Sequence, residues 1–517
     1  MPLISNSGRD LSLRLISLLA LISITSAQCD TTQIASSTPT AHGHYGYKLL
    51  LDGDRMFVGE PGISTGTGSV HILERSGTDW IEVDVLCVPS AGATFGWGLA
   101  IDDDRLVVGA PWASSSVGGT GIIYIYDEGT NGWTLSSQLE ADVPHSGDFG
   151  KSIAIDGDQL LIGAPAEATI GTMAGAAYLF EWDGQSWLQM QKLFGDSFSG
   201  YELYGSEVQL ENGIATISAP GGLFLLGSVF VYERGPGGWP QTWHQKLDPL
   251  CQGYGYGEAL ALEEGRLMIG APQSNWAGCV DQYDWVAGSF VHTGSIDGPS
   301  GNNLFGRAIK LAGKRLLIGS RQAQEGAAAL YLNELTGWRE THRFTPPIPD
   351  SAGGFGIEVA LDGESAWIAD PFNGPGDEGL IHAADLRRGA RHCSSGPNST
   401  GQAAVLEIRG CAKVSGDDVV LTAGPVPDSL GLFVYSNDRD NRAFGNGRLC
   451  LAGAMHVLPM ESATHGELRH QLRISNPTSA AGQITAGSTW HFQAWYRDAG
   501  TGTSFDTSDA VALTFSP

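Results

Sequence analysis

The sequence predicts an all-β protein that is built from repeats. It has 72 glycines in 517 residues, and a pattern recurs about every 50 residues. Each copy starts with an aromatic residue and a glycine, and a triplet similar to Gly-Ala-Pro opens 13 residues after that glycine. Seven copies keep this distance, with the aromatic residues Tyr45, Phe95, Phe149, Tyr204, Tyr256, Phe305 and Phe355. A constant spacing at a fixed period is the signature of a repeat architecture.

Four short segments in each copy have the pattern of β-strands. In the third copy they are SIAID at 152–156, LLIGA at 160–164, AAYLFE at 176–181 and a segment that follows Trp187. An Asp-Gly pair separates the first two, and such pairs favour hairpin turns because glycine accepts positive φ. Four antiparallel strands in each of seven copies predict a seven-bladed β-propeller.

The two ends of the repeat region are expected to meet. The seventh copy lacks a fourth strand, and residues 33–36 resemble one, so we expect them to close the last blade of a propeller over residues 28–390. Residues 391–517 show shorter alternating runs, which predict a smaller antiparallel β-sandwich-like domain. In the fifth copy we interpret Gly288 as the start of strand three, which leaves a long loop before it and almost no fourth strand.

Residues 1–27 have the features of a signal peptide. Arg9 and Arg14 flank a basic region, an apolar core follows, and a small-residue site ends at Ala27. A lipid anchor at Cys29 is the alternative. No later run of about 18 apolar residues occurs, so no membrane span is expected. The sequence therefore predicts a secreted or cell-surface protein.

Charge and cysteine content limit the function and the compartment. A net charge of −27 argues against nucleic acid as a partner, because a polyphosphate needs a basic surface. Seven cysteines fit an oxidising compartment. Strand alternation places Cys251 and Cys279 on one face of the fifth blade, so we predict a disulfide between them. The pairing of the others stays open, with one pair expected among Cys393, Cys411 and Cys450.

The aromatic-Gly and Gly-Ala-Pro pairs resemble the FG-GAP repeats of integrin α-chain propellers. They are more similar to those of bacterial secreted FG-GAP proteins, over about residues 33–388. Runs such as LGLFVY at 430–435 resemble the C-terminal module of planctomycete-type secreted proteins. Integrin-type repeats carry a DxDxDG calcium loop between strands one and two. Here the turns, such as Asp102–Asp104, are too short for that loop, so no cofactor is expected at them.

The sequence contains no catalytic motif such as GxSxG, HExxH or a P-loop. We therefore predict a non-enzymatic binding or adhesion scaffold for a protein, glycan or surface partner. The alternative is an exported propeller enzyme, a hydrolase or lyase acting on polysaccharide. The loops between strands two and three share one face of the propeller with the loops that lead into strand one. Aromatic residues beside acids on that face predict the ligand site, and they are Trp112, Trp276, Asp281, Tyr283, Asp284 and Trp285. The rings of the fifth copy could instead be buried against their own blade.

Overall fold

A computed structural model gives the structure of residues 31–515. The described residues exclude 64–67, 77–78, 89–93, 115–119, 143–146, 197–199, 222–225, 251–252, 275–276, 300–303, 322–325, 335–336, 347–353, 364, 387–389, 395, 410–411, 413, 415–418, 475–479 and 500–503. The predicted signal peptide and Cys29 lie outside this part of the chain.

The described residues form seven antiparallel sheets of four strands, which are the blades of a β-propeller. Blades one and two contain β2 (Lys48–Asp52), β3 (Arg55–Glu60), β4 (Ser69–Ser76), β5 (Asp79–Cys87), β6 (Gly98–Asp102), β7 (Arg105–Ser114), β8 (Thr120–Gly129) and β9 (Gly132–Leu139). Blades three and four contain β10 (Ser152–Asp156), β11 (Gln159–Ala164), β12 (Ala176–Trp182), β13 (Trp187–Leu193), β14 (Val208–Glu211), β15 (Ile214–Ala219), β16 (Ser228–Glu233) and β17 (Gln245–Leu247).

Blade five contains β19 (Ala259–Glu263), β20 (Arg266–Ala271), β22 (Cys279–Val286) and β23 (Ser289–Asp297), beside a short pair of β18 (Gly253–Tyr254) and β21 (Gln273–Ser274). Blade six contains β24 (Phe305–Ala312), β25 (Arg315–Ser320), β26 (Ala327–Glu334) and β27 (Gly337–Phe344). Blade seven contains β28 (Val359–Leu361), β29 (Ser365–Asp370), β30 (Leu380–Asp385) and the N-terminal β1 (Thr31–Ile34).

The seam between the first and last blades is closed by the N-terminal strand. β1 pairs antiparallel with β30, with Thr31 opposite Ala384 and Ile34 opposite Ile381. The strand expected near residues 33–36 thus lies at 31–34. The innermost strands contact one another in ring order, and β2 of blade one contacts β28 of blade seven.

The FG glycines are required by backbone conformation. From Gly46 to Gly356, all seven have φ between 81° and 91°, a region that residues with a Cβ rarely adopt. In the third copy the Gly150 N–H donates a 3.0 Å hydrogen bond to the Gly163 carbonyl. The constant spacing of 13 residues therefore places two backbone groups of one blade opposite each other.

At five of the seven junctions, contact between blades requires the GAP glycine. A Cβ on Gly109 would lie 2.0 Å from the carbonyl oxygen of Gly150, which is the FG glycine of the next copy. Four other junctions bring the same two glycine positions together, through Gly59, Gly163, Gly270 and Gly319. At the remaining two junctions, Ser218 and Ala369 stand at this position.

Acidic residues at the ends of the innermost strands link neighbouring blades. Asp102 accepts a hydrogen bond from the Gly157 N–H at 2.6 Å, and Asp156 accepts one from the Asn212 N–H at 2.7 Å. Glu263 accepts from the Gly313 N–H in the same way, at 2.8 Å. These carboxylates therefore bind the hairpin turn of the following blade.

Blade five is complete, and the interpretation of Gly288 was wrong. β22 starts at Cys279, directly after Gly278, and the nine-residue β23 supplies the fourth strand. Gly288 lies in the hairpin turn between these two strands. Phe290 follows Gly278 by 12 residues, the same distance that separates the strand-three glycine from tryptophan in five other copies.

Residues 390–514 form a second β-rich unit. Its strands are β31 (Ala390–His392), β32 (Val405–Arg409), β33 (Val420–Gly424), β34 (Leu430–Ser436), β35 (Asp438–Phe444), β36 (Gly447–Ala452), β37 (His456–Val457), β38 (Glu461–Ser462), β39 (Leu468–Gln471), β40 (Thr489–Arg497) and β41 (Phe505–Thr514), with a 3-10 helix at Ala480–Gly482. A six-stranded sheet and a three-stranded sheet share one apolar core around Leu421, Phe433 and Phe492, which is a sandwich arrangement.

Candidate binding site at the propeller channel

Four charged side chains lie on the innermost strands or directly before them, around the channel. Lys48, Glu207 and Glu358 occupy the second position after the FG glycine in blades one, four and seven, and Lys310 lies on the innermost strand of blade six. We name these residues the charged quartet. The Lys48 ammonium lies 3.0 Å from the Glu358 carboxylate, and their side chains are 25% and 14% exposed. The channel is therefore lined by charge of both signs.

Burial and mutual charge shift the pKa values of the quartet in different directions. Burial raises the pKa of Glu207 despite the attraction of Lys48. Burial lowers the pKa of Lys310, and the charge of Lys48 lowers it further. Burial also acts to lower the pKa of Lys48, but the charges of Glu358 and Glu207 outweigh it and raise that pKa. Carboxylates and amines with opposed shifts are typical of functional sites, although structural ion pairs produce them too.

A row of three aromatic rings lies next to the quartet, and we name it the mouth row. Tyr47 and Trp97 follow the FG glycines of blades one and two, and their ring centroids are 4.5 Å apart. Trp97 lies 5.4 Å from Trp112 of β7. The Trp112 indole N–H donates to Asp148 of the third copy at 3.1 Å, while 43% of the residue stays exposed. The row therefore runs from blade one towards blade three and ends at the surface.

Other charged groups surround Tyr47. Burial raises the pKa of its hydroxyl, on which the charges of Arg307, Glu358 and Lys48 also act. Arg307 is paired with Glu258 at 2.6 Å. The mouth of the channel thus combines aromatic rings from blades one and two with an ion pair from blades five and six.

The structure places the sequence-predicted residues of blade five in the blade itself. Tyr283 is 4% exposed, its hydroxyl accepts a hydrogen bond from the Tyr256 hydroxyl at 3.1 Å, and Asp281 is fully buried and accepts from Ser295 at 2.6 Å. Asp284 is held by Arg266 at 2.9 Å, and the partly buried Trp285 packs in the apolar cluster between blades four and five. These four residues belong to β22 because strand three starts at Gly278, so they do not form an exposed patch. Trp276 lies outside the described residues.

Of the predicted ligand residues that the structure describes, Trp112 alone lies in the mouth row. Sequence reasoning missed Tyr47 and Trp97, although one signal was available. The position after the FG glycine is aromatic in these two copies, whereas it holds Lys151, Ser206, Glu258, Arg307 and Ile357 in the other five. The repeat itself therefore does not require a ring there.

One Ser–His–Glu arrangement occurs in blade one, but its geometry does not suit nucleophilic catalysis. His71 Nε2 lies 3.1 Å from the Ser69 hydroxyl and 2.8 Å from Glu60, while Nδ1 lies 2.9 Å from Glu82. Burial acts to lower the pKa of His71, but the hydrogen bonds to the two carboxylates outweigh it and raise that pKa. Each ring nitrogen faces a carboxylate at hydrogen-bond distance, so neither nitrogen is left to accept a proton from Ser69.

The cysteines show two of the expected features. Cys393 and Cys450 form a disulfide in the C-terminal unit. Cys279 is disulfide-bonded, whereas Cys251 lies outside the described residues, so the pairing of these two stays a prediction. Cys87 is a free, exposed thiol.

Comparisons with known proteins identify the repeat. Residues 89–126 and 133–180 match the FG-GAP repeat family. None of the curated proteins matches this sequence. Within the part of the chain that the structure describes, no group of three or more His, Cys, Asp or Glu residues is placed to hold a metal. That part also contains no helix that is long and apolar enough to cross a membrane.

Solved structures with a similar fold are distant in sequence. A chain of a mitotic checkpoint complex is 12% identical with a TM-score of 0.45, over 71% of this chain and 98% of its own. A 6-phosphogluconolactonase candidate from Bacteroides uniformis is 12% identical with a TM-score of 0.44, over 59% and 86%. A protein from Lactobacillus plantarum is 11% identical with a TM-score of 0.40, over 58% and 84%.

Proposed function

We propose that the chain is an exported, non-enzymatic binding scaffold whose mouth row contacts an extracellular glycan. The observation that carries this proposal is the series of three adjacent rings, Tyr47, Trp97 and Trp112, which the repeat does not require and which reaches the surface. Aromatic faces beside a few placed polar groups are the usual composition of a small-ligand or glycan site. Here Asp148 fixes the indole of Trp112 and leaves the ring exposed.

Export is part of this proposal. It is supported by the signal-peptide features of residues 1–27 and by the disulfide of Cys393 with Cys450, because structural disulfides persist in oxidising compartments. FG-GAP repeats are also typical of proteins outside the cell.

The test is a glycan-array screen with the chain from Gln28 onward, followed by titration of the best ligand against variants. We expect Trp97→Ala and Trp112→Ala each to weaken binding at least about tenfold, which corresponds to about 1.4 kcal/mol. Trp243→Ala is the matched control, because Trp243 is similarly exposed at 38% but lies in the fourth copy, away from the mouth row. Binding that survives both replacements contradicts the proposed site, and selective capture of a protein would identify a protein-binding scaffold instead.

A polysaccharide hydrolase or lyase acting in the channel is the second candidate. It is favoured by the opposed pKa shifts of Glu207 and Lys310, since a carboxyl with a raised pKa suits a general acid and an amine with a lowered pKa suits a general base. Incubating the chain with the polysaccharides that it binds and measuring new reducing ends or unsaturated products tests this candidate. Cleavage that is lost in Glu207→Gln, with binding retained, would establish an enzyme.

A further inference from the structure

Two aspartates lie close together at one end of the C-terminal unit. Asp498 follows β40 and its N–H donates to the Ser504 carbonyl at 3.1 Å, while Asp506 on β41 is the register partner of Tyr496. Side chains two residues apart on a strand point to the same face, so residues 496 and 498 share the face of Asp506. Both aspartates are fully buried, at 0% exposure.

Neutral oxygen and nitrogen groups surround this pair. Tyr496 and Asn398 are 2% and 4% exposed, and the Asn398 side-chain amide donates to the Tyr496 hydroxyl at 3.1 Å. The Ser399 N–H donates to Asp498 at 2.8 Å. Asn398 begins a sequence that fits a glycosylation acceptor, but its amide is buried and hydrogen-bonded in the folded chain. The region is therefore a polar cluster inside the sandwich.

One carboxylate oxygen of the pair has no partner. Asp506 Oδ1 accepts from the Thr507 N–H at 2.7 Å, whereas the buried Oδ2 makes no hydrogen bond. An ionised Oδ2 therefore has no hydrogen-bond donor to balance its charge among the described residues. A buried polar atom without a partner is destabilising, so this oxygen requires a ligand or a proton.

We propose that Asp498 and Asp506 hold a divalent cation, and that this cation is calcium. Calcium takes oxygen ligands in flexible geometry and accepts carboxylate, carbonyl and water oxygens together. The chemistry of the donor set disfavours zinc, which prefers histidine and cysteine. Because only two carboxylates contribute, we expect a dissociation constant of about 10⁻⁴ to 10⁻³ M, which is the range of extracellular calcium modules.

The first experiment measures thermal unfolding of the chain from Gln28 onward after treatment with a chelator. Buffers contain either about 10 mM calcium chloride or potassium chloride of equal ionic strength. For a dissociation constant near 1 mM, we expect calcium to raise the melting temperature of the C-terminal unit by about 4 °C. Asp506→Asn preserves the side-chain shape and should abolish the shift. Asp440→Asn is the control, since Asp440 lies in the same unit and is paired with Arg442 at 3.2 Å.

The second experiment measures bound calcium directly by equilibrium dialysis of the unmodified chain and of both variants. One calcium ion per chain, lost in Asp506→Asn and kept in Asp440→Asn, supports the proposal. No bound calcium on the unmodified chain overturns it, even if Asp506→Asn fails to fold. Calcium binding that is unchanged in Asp506→Asn would place the ion elsewhere and also overturns it. A more stable Asp506→Asn with no calcium response would identify a protonated carboxyl pair instead.

Discussion

Replacing Gly163 by alanine tests the role assigned to the GAP glycines. The new Cβ would lie 2.0 Å from the carbonyl oxygen and 2.9 Å from the carbonyl carbon of Gly205, both in the backbone of the next blade. The neighbouring strand must move by about 1 Å, and overpacking of this kind costs about 1–3 kcal/mol. The 2.9 Å bond from Ser152 Oγ to the Gly205 carbonyl would also be lost, at about 1 kcal/mol.

The expected loss of about 3 kcal/mol converts into a melting temperature. The propeller from Thr31 to Asp385 has about 355 residues, and an unfolding entropy of about 2.1 cal/mol/K per residue gives about 0.75 kcal/mol/K. Gly163→Ala should therefore lower the melting temperature by about 4 °C in differential scanning calorimetry.

Gly157→Ala is the matched control in the same blade. Gly157 has a φ of 58° but no atom within 4 Å of an added Cβ, so only the conformational cost applies, at about 1–2 kcal/mol. We expect its melting temperature to fall by no more than about 3 °C. If Gly163→Ala melts at the same temperature as the unmodified chain, or if Gly157→Ala lowers the melting temperature more, contact between blades does not explain the constant spacing of the repeat.

Three further outcomes are expected. The raised pKa of His71 means that its bridge to the two glutamates stabilises the fold fully below pH 6.5, the ordinary value, and less as the pH rises through the folded-state pKa. His71→Gln should flatten this decline in chemical unfolding measured from pH 6 to 9. Asp156→Ala removes the acceptor of the Asn212 N–H and should destabilise the propeller by about 1 kcal/mol in urea titration, whereas Asp183→Ala, which binds only its own turn, should have a smaller effect. Peptide mapping without reductant should recover Cys279 linked to Cys251, and recovery with another partner would reject that pairing.

The repeat was predictable because backbone conformation and packing between blades require glycine at fixed positions. A glycine at positive φ and a glycine under the next blade tolerate few replacements, so the sequence keeps them at fixed spacing. The error in blade five had a physical cause, since Gly278 and Gly288 both have positive φ and both precede a strand. The 12-residue distance from Gly278 to Phe290 indicates the correct start of strand three, but phenylalanine replaces the usual tryptophan there, so the match was not recognised.

The candidate sites were less predictable because they depend on contacts between distant copies. Lys48 and Glu358 are 310 residues apart in the sequence and meet only when the ring closes. The residue type at the position of Tyr47 and Trp97 varies from copy to copy, so the repeat pattern does not mark this position as important. Asp498 and Asp506 look like ordinary strand-end acids in a chain with 56 acidic residues, and only burial distinguishes them.

The N-terminal strand sets the order in which this chain can fold. Thr31 pairs with Ala384, so β1 has no partner until nearly the whole repeat region has been synthesised. Closing such a long loop is entropically unfavourable, and folds dominated by distant contacts form slowly. Until then, β1 exposes unpaired backbone groups that another chain could bind. The interval between synthesis of residue 34 and of residue 381 is therefore the period in which the chain is most exposed to aggregation.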